Sequence, residues 1–425
     1  MAIRKERGRW LQEPVALLIF EGDRPVSPVE EWMAAARAAI VLDILEKAAR
    51  VETIDRRLLV TNRRWLADEA ARLNLAEVVW EEPEEPPHGS RRNPWEYHLG
   101  RALAAVILKL ELPNVIYCGG GACPLVTEEE LYEIGRRLKE EKHLVLTNNP
   151  FSADLVAFSP GDAIGQIELP EADNPLPMLL HHQAGLRLVQ LPRTLGINFD
   201  IDTPTDLMVL AVHPGAGVRT REALSRLPLE LSRFEKAKEL LLNREAQALV
   251  YGRVGAPLFG YLDEKTRCRL RLISEERGMK SSGRDERGEV VSLLGLLWQN
   301  TSPQRFFSAL ADLADVAFLD TRVLFAHLFG RVKRSDRFYS DLGQPEKIED
   351  PRVRLFTEAA LEAPIPVILG GHSLVTGGLW ALLDAAYATQ AAGSTVTADG
   401  KGRFESGTGR IQFAPAVYPL SPWQE

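Results

Sequence analysis

The six residues Val15-Ala16-Leu17-Leu18-Ile19-Phe20 carry no polar side chain. An apolar run that short, with no polar face, is a strand covered by protein on both sides. From Pro28 to Ala49, Trp32, Ala36, Ile40, Leu42 and Leu45 recur at helical spacing, and Arg57-Leu58-Leu59-Val60-Thr61 is a second strand. Strand, covering helix and strand make a βαβ unit. The alternation continues with helices over Trp65 to Leu73 and Leu99 to Leu110, and a strand at Asn114-Val115-Ile116-Tyr117-Cys118. A helix from Thr127 to Lys139 follows, its start marked by the Thr-x-x-Glu capping box of Thr127 and Glu130. Strands at Leu144-Val145-Leu146 and Leu155-Val156-Ala157-Phe158 complete the pattern, and the segment from Glu81 to Asn93, dense in Glu, Pro and Arg, reads as an exposed loop. This is the signature of an open α/β domain ending near Gly217.

With 425 residues, 45% of them hydrophobic, the chain is too long for one ordinary core. A linker over Ala211 to Leu227, with Gly215 and Gly217, divides it into residues 1–217 and 218–425. The formal charge of −8 provides no basic footprint for nucleic acid and no polybasic arm for a membrane. No apolar run approaches the roughly 20 residues that span a bilayer, and Met1 to Leu11 lacks the apolar core of a signal peptide. Cys118, Cys123 and Cys268 are too few for a disulfide framework and read as small buried residues. A soluble cytoplasmic protein is expected, and homo-oligomerisation is compatible with this composition.

Asn198-Phe199-Asp200-Ile201-Asp202-Thr203-Pro204-Thr205-Asp206-Leu207 places chemistry at a strand end. In an extended segment Asp200 and Asp202 share one face while Ile201 packs behind. Pro204 suits a helix start, with Thr203 as N-cap and Asp206 serving only the helix dipole. Two such carboxylates can hold Mg²⁺, which keeps waters and takes further ligands from substrate phosphates; local capping alone is the competing reading. Gly119-Gly120-Gly121 after a strand allows backbone approach to a base or phosphate, or is a tight turn. Asn148 and Asn149 could bond a base or ribose edge, or hold an Asx turn. His181 and His182 read as surface residues.

Tyr117-Cys118-Gly119-Gly120-Gly121-Ala122-Cys123-Pro124-Leu125-Val126-Thr127, then Thr147-Asn148-Asn149-Pro150-Phe151-Ser152-Ala153-Asp154, then Asp173-Asn174, then the Asp-x-Asp-Thr-Pro-x-Asp-Leu run together resemble the nucleotidyltransferase superfamily, nearest to its molybdenum-cofactor and 2-phospholactate guanylyltransferases. The resemblance covers about the first half. It implies a Rossmann-like three-layer domain that binds a nucleoside triphosphate, GTP or CTP favoured, with Mg²⁺. Such a domain joins the nucleoside monophosphate to a phosphorylated small molecule and releases pyrophosphate. It assigns Arg24 and Asp202 to catalysis, Gly22, Gly119, Gly120, Gly121, Asn148, Asn149 and Ser152 to the nucleotide, and Asp200, Asp202 and Asp154 to the metal. Two departures stand out. The first strand runs into Glu21-Gly22-Asp23-Arg24, with one glycine and no lysine until Lys47, so Glu21 and Asp23 would repel a triphosphate; and Gly119-Gly120-Gly121-Ala122 has no acid. A catalytically degenerate nucleotide-binding or scaffolding protein on the same fold is the alternative.

The second half resembles no family and reads as α/β or α+β. Arg267, Arg269 and Arg271 alternate on a strand, a ridge for phosphate or carboxylate or else a solvated edge paired with Glu275 and Glu276. Helical spacing covers Val291 to Trp298 and Phe306 to Val316, and Asp320 and Arg322 must pair if buried. A strand ending at Leu369, the loop Gly370-Gly371-His372-Ser373 and a helix from Leu379 to Tyr387 make a strand, glycine and helix-start arrangement suited to an anion. The ridge, Lys280 and this loop are therefore expected to line one anion-binding cleft. Adjacent His372 and Ser373 lack the Gly-x-Ser-x-Gly elbow of a hydrolase. The tail from Ala391 to Pro422 reads as loops with a hairpin around Gly407 and Gly409.

Overall fold

A computed structural model describes residues 13–22, 24–81 and 98–396. Met1 to Leu11, Asp23, nearly all of the Glu81 to Asn93 loop and the hairpin around Gly407 and Gly409 lie outside the described residues. The described residues are mixed α/β, with a seven-stranded and a four-stranded sheet.

In the first sheet the strands β1 (Val15–Phe20), β2 (Arg56–Thr61), β3 (Glu77–Trp80), β4 (Asn114–Gly119), β5 (Leu144–Thr147), β6 (Leu155–Ser159) and β7 (Arg187–Gln190) lie in the order β3-β2-β1-β4-β6-β5-β7. All neighbours are parallel except β6, which runs antiparallel to β4 and β5. β1 is central and every one of its residues is buried, so each aliphatic side chain there contributes about 1.5–3 kcal/mol of burial. Separate apolar clusters cover the two faces: Ala16 and Leu18 face one with Leu103 and Phe158, while Leu17 and Ile19 face the other with Ile40 and Leu131. The helix Pro28–Ala48 begins with Pro at its first turn, has Glu30 and Glu31 toward its positive end and Lys47 at its negative end, and buries most of its surface. The Thr127 box forms as read, with Thr127 N donating to Glu130 at 2.8 Å and Glu130 N to Thr127 Oγ1 at 3.1 Å.

The second sheet is wholly parallel, in the order β11-β10-β8-β9, from β8 (Gln247–Gly252), β9 (Arg269–Ser274), β10 (Val316–Asp320) and β11 (Val367–Gly370). β10 corrects the single helical run read from Phe306 to Val316: the helix stops at Ala311, and Val316 opens a fully buried strand. The last helix runs on to Val396, where loops were expected from Ala391.

The two halves share apolar packing, since Leu17 and Phe199 belong to the same buried cluster as Val250 and Phe318. The helix Val218–Ser225 lies against Pro28–Ala48, where Thr220 N and Oγ1 donate to Asp43 at 2.8 and 2.7 Å. Further on, Thr205 Oγ1 donates to Leu369 O at 2.5 Å, fixing the start of the helix Pro204–Ala211 against β11.

Candidate functional site

β2 and β3 extend the first sheet to one side of β1, while β4 lies on the other. A ligand crevice in such a sheet opens beyond the carboxyl ends of the strands at this reversal. Here Phe20 and Gly119 are register partners at those ends, and a cleft of about 340 Å³ lies against them. Gly120 N donates to Phe20 O at 2.9 Å. A Cβ on Gly120 would stand 2.0 Å from Glu21 Oε2, so only glycine fits between them. Glu21 is buried, and Arg37 Nε donates to it at 3.3 Å. The expected repulsion of a triphosphate by Glu21 is thus offset by a guanidinium from the covering helix.

Hydrogen bonds carry the Asp-x-Asp segment to the glycine turn: Ile201 N donates to Gly121 O at 3.0 Å and Cys123 N to Phe199 O at 3.1 Å. Ile201 is buried while Asp200 and Asp202 line the cleft. Asp154 joins them from the opposite loop, held by Asn148, whose Nδ2 donates to Asp154 Oδ2 at 2.9 Å and whose Oδ1 accepts from Asp154 N at 3.1 Å. Asp173 completes the acidic wall. Burial raises the pKa of Asp154 to about 7, and raises Asp173 as well. Asp200 goes well above the ordinary range, through burial first and then the charges of Asp202 and Asp154. Carboxylates crowded in a partly dry cleft resist ionising together, and a cation among them removes that resistance. Their all-oxygen donor set fits a hard ion such as Mg²⁺. Among the described residues no group of three or more His, Cys, Asp or Glu is placed to hold a metal ion. A metal here would therefore take ligands from water or substrate.

Of the residues expected at the nucleotide, Gly22, Gly119, Gly120 and Gly121 line the cleft, and nothing crowds Gly119 where a side chain would stand. Asn148 does not line it and instead fixes Asp154. Asn149 takes the Asx turn, its Oδ1 accepting from Phe151 N at 3.1 Å. Ser152 and the exposed Arg24 stand outside the lining. Arg37 and Arg334 line the cleft unforeseen. Helical spacing marks Arg37 only as a non-apolar position, and nothing in the sequence ties Arg334, some three hundred residues from β1, to this end of the sheet.

Asp206 overturns the role read for it. It is fully buried, and its Oδ2 accepts from Asp202 N (3.1 Å), Thr203 N (2.8 Å), Thr203 Oγ1 (2.9 Å) and Ser373 Oγ (2.6 Å). Burial pushes its pKa to about 7.

In the second half, Arg267, Arg269 and Arg271 are exposed, the latter two on the edge strand β9 opposite Gln247 and Leu249, away from the strand's carboxyl end. Arg269 stands 4.0 Å from Glu245, and Arg267 stacks over Tyr387 at 5.8 Å. The ridge is a solvated edge and does not meet the Gly370 loop. That loop packs rather than cradles: Gly370, Gly371 and Ser373 are buried, and a Cβ on the following Gly377 would stand 2.3 Å from Asn198 O. Asp320 and Arg322 are both buried but do not pair with each other. Arg253 grips Asp320 at 2.6 and 3.1 Å, and Arg322 grips Asp341 at 2.8 and 2.5 Å. His372 is half-buried beside them, its pKa lowered to about 4 by burial first and the charge of Arg253 second. His181 Nδ1 lies 2.7 Å from Leu186 O at the surface helix Leu176–His182. The three cysteines are buried and free, and burial raises Cys118 to about 12. No described helix is long and apolar enough to cross a membrane.

No family model and no curated protein matches the chain. Among solved structures, a cytidylyltransferase from Leptospira borgpetersenii serovar Hardjo-bovis is 15% identical, with 51% of this chain and 95% of that one covered and a TM-score of 0.36. CMP:2-keto-3-deoxy-manno-octonic acid synthetase complexed with CTP is 13% identical, covering 50% and 100% at a TM-score of 0.34. 4-Diphosphocytidyl-2C-methyl-D-erythritol synthase is 12% identical, covering 47% and 97% at a TM-score of 0.31.

Proposed function

We propose that the chain transfers a nucleoside monophosphate from a nucleoside triphosphate, GTP or CTP, to a phosphorylated small-molecule acceptor and releases pyrophosphate. The observation that carries this reading is the meeting of Asp154, Asp200 and Asp202 with the glycine turn 119–121 in one cleft beyond β1 and β4. An acceptor oxygen would form the new bond to the α-phosphorus as the bond to the bridging oxygen breaks, with the electron pair leaving on pyrophosphate. Such a reaction asks the protein mainly for position and charge. The open backbone at Gly119 admits the nucleotide closely, Arg37 neutralises Glu21, and Arg334 supplies positive charge where the first-strand loop has no lysine. Asn148 keeps Asp154 aimed into the cleft. Asp200 and Asp202 would hold Mg²⁺, which when bound offsets phosphate charge and favours the carboxylate form of Asp200.

The position of Arg24 outside the cleft favours a second reading, a nucleotide-binding protein without turnover. Pyrophosphate release from GTP and CTP with a panel of phosphorylated acceptors separates the two. Release dependent on Asp202 supports transfer, and nucleotide-induced thermal stabilisation without release supports binding alone.

A further inference from the structure

The four-stranded sheet has its own reversal point. From β8 the chain moves to β9 on one side, then to β10 and β11 on the other. The carboxyl ends of β8 and β10 therefore mark the position at which parallel sheets of this kind hold ligands. Arg253 follows β8, Asp320 ends β10, and Arg322 opens the next helix. His372 follows β11.

Ion pairing among these groups is incomplete. Arg253 is bonded to Asp320 and Arg322 to Asp341, which uses both carboxylates. Arg337 and Lys280 remain. Arg337 belongs to the helix Arg334–Leu342, and its Nε is buried without a hydrogen-bond partner. The Asp341 charge acts on it, but that carboxylate is already held by Arg322. Lys280 feels Arg253, Arg337, Arg322 and, from the other half, Asp202. Its stem reaches solvent while its ammonium is partly enclosed, and it makes no ion pair among the described residues. His372 Nδ1 is a second buried polar atom without a partner. Burial, with the neighbouring guanidiniums behind it, lowers the pKa of Lys280, and brings that of Arg337 to about 10. Buried cationic groups such as Arg337 Nε, close to other cations and without a bonded carboxylate, are costly unless an anion partners them.

We propose that Arg337, Lys280 and Arg253, with His372, form a binding site for a phosphate monoester at the carboxyl end of the second sheet, beside Asp202. The arginines offer planar N–H pairs to phosphate oxygens, the lysine a mobile ammonium, and the imidazole a single N–H. The Asp202 charge reaches both Lys280 and His372, so a ligand anchored here extends toward the carboxylate cleft. The site takes the phosphate of the acceptor, and in that assignment alone it rests on the transfer reading above.

The full chain, in EDTA so that no metal can hold phosphate at the aspartates, is titrated calorimetrically with inorganic phosphate. Wild type and the edge variant Arg269→Gln are expected to bind alike. Lys280→Gln and Arg337→Gln are each expected to bind roughly tenfold more weakly, the loss of one charge-assisted hydrogen bond. Far-UV circular dichroism identifies any variant that fails to fold. If Arg337→Gln does so, the exposed Lys280→Gln decides alone. Unchanged affinity in a folded Lys280→Gln, or no phosphate binding by wild type at millimolar concentrations, overturns the site. Phosphate binding as expected with no pyrophosphate release from any triphosphate and acceptor pair keeps the site and overturns the transfer reading. Pyrophosphate release with an unchanged acceptor KM in Lys280→Gln does the reverse.

Discussion

The Ser373 hydroxyl donates to Asp206 Oδ2 at 2.6 Å, joining the glycine loop after β11 to the helix start that follows the Asp-x-Asp segment. Asp206 is thus a clasp between the halves. Its other oxygen, Oδ1, is buried without a partner. Asp206→Ala should lower the free energy of unfolding by about 2–4 kcal/mol, since several buried donors lose their acceptor. Ser373→Ala should lower it by about 1 kcal/mol. Urea denaturation checks both, and a loss under 0.5 kcal/mol for Asp206→Ala would refute the clasp.

Acids raised by burial set the sign of a pH effect. Asp154 and Asp206 both move from 3.8 to about 7. Between those values the folded state keeps protons that the unfolded chain has released, so stability falls as pH rises from about 4 to about 7. Metal-free protein should therefore unfold at lower urea at pH 7.5 than at pH 5.5, and Asp206→Asn should flatten the slope. A midpoint rising with pH across this window in EDTA would contradict the assignment.

Mg²⁺ should reverse that trend, because it binds the ionised carboxylates. Millimolar Mg²⁺ at pH 7.5 is expected to raise the melting temperature of wild type and to leave Asp202→Asn unmoved. Asp202→Asn should also lose Mg²⁺-dependent nucleotide binding, with a penalty of several kcal/mol. Equal nucleotide affinity in wild type and variant, with or without chelator, would remove Asp202 from the metal.

Two glycines are held by what they touch. Gly120→Ala would drive its Cβ into the Glu21 carboxylate, and Gly377→Ala would meet the Asn198 carbonyl, a backbone atom with less freedom to yield. Overpacking costs about 1–3 kcal/mol. Gly377→Ala should be the more destabilising in thermal melts, and Gly120→Ala the more damaging to nucleotide affinity.

Arg253→Leu breaks a buried pair and leaves the Asp320 carboxylate uncompensated, an expected loss of about 3–5 kcal/mol. Arg269→Glu, on the solvated edge, should stay within about 0.5 kcal/mol of wild type. Calorimetric melts of the two variants compare the positions directly.

The first half was legible because its strands are short and wholly apolar and its helices amphipathic, so β1, β2, β4 and the Thr127 box fall where period and capping put them. β3 and β7 went unread, being four-residue edge strands with exposed ends that lack a decisive pattern. β10 was hidden because Phe306 to Val316 spans a helix and the first strand residue, both rich in the same apolar types. At the site, local order gave Gly119 to Gly121, Asp200 and Asp202. Asn148 was legible as a polar residue but not as the partner of Asp154. Arg337 was legible only as part of a polar cluster with Asp336, and Arg334 and Arg253 were invisible, because their meaning lies in where a second sheet carries them. Alternation along a strand pointed to Arg269 and Arg271, but alternation cannot say whether the strand has a neighbour on its far side.

The helix Arg334–Leu342 sends Arg334 into the carboxylate cleft, while Arg337, three residues on, carries a buried Nε without a partner. Three residues advance a helix by about 4.5 Å, and the helix is pinned by packing against both Pro28–Ala48 and β11. Such a strut makes the spacing between the two cationic points a fixed length that neither sheet can change alone. If Arg337 holds a phosphate as proposed, a ligand with a second anionic group at Arg334 would have to match that spacing.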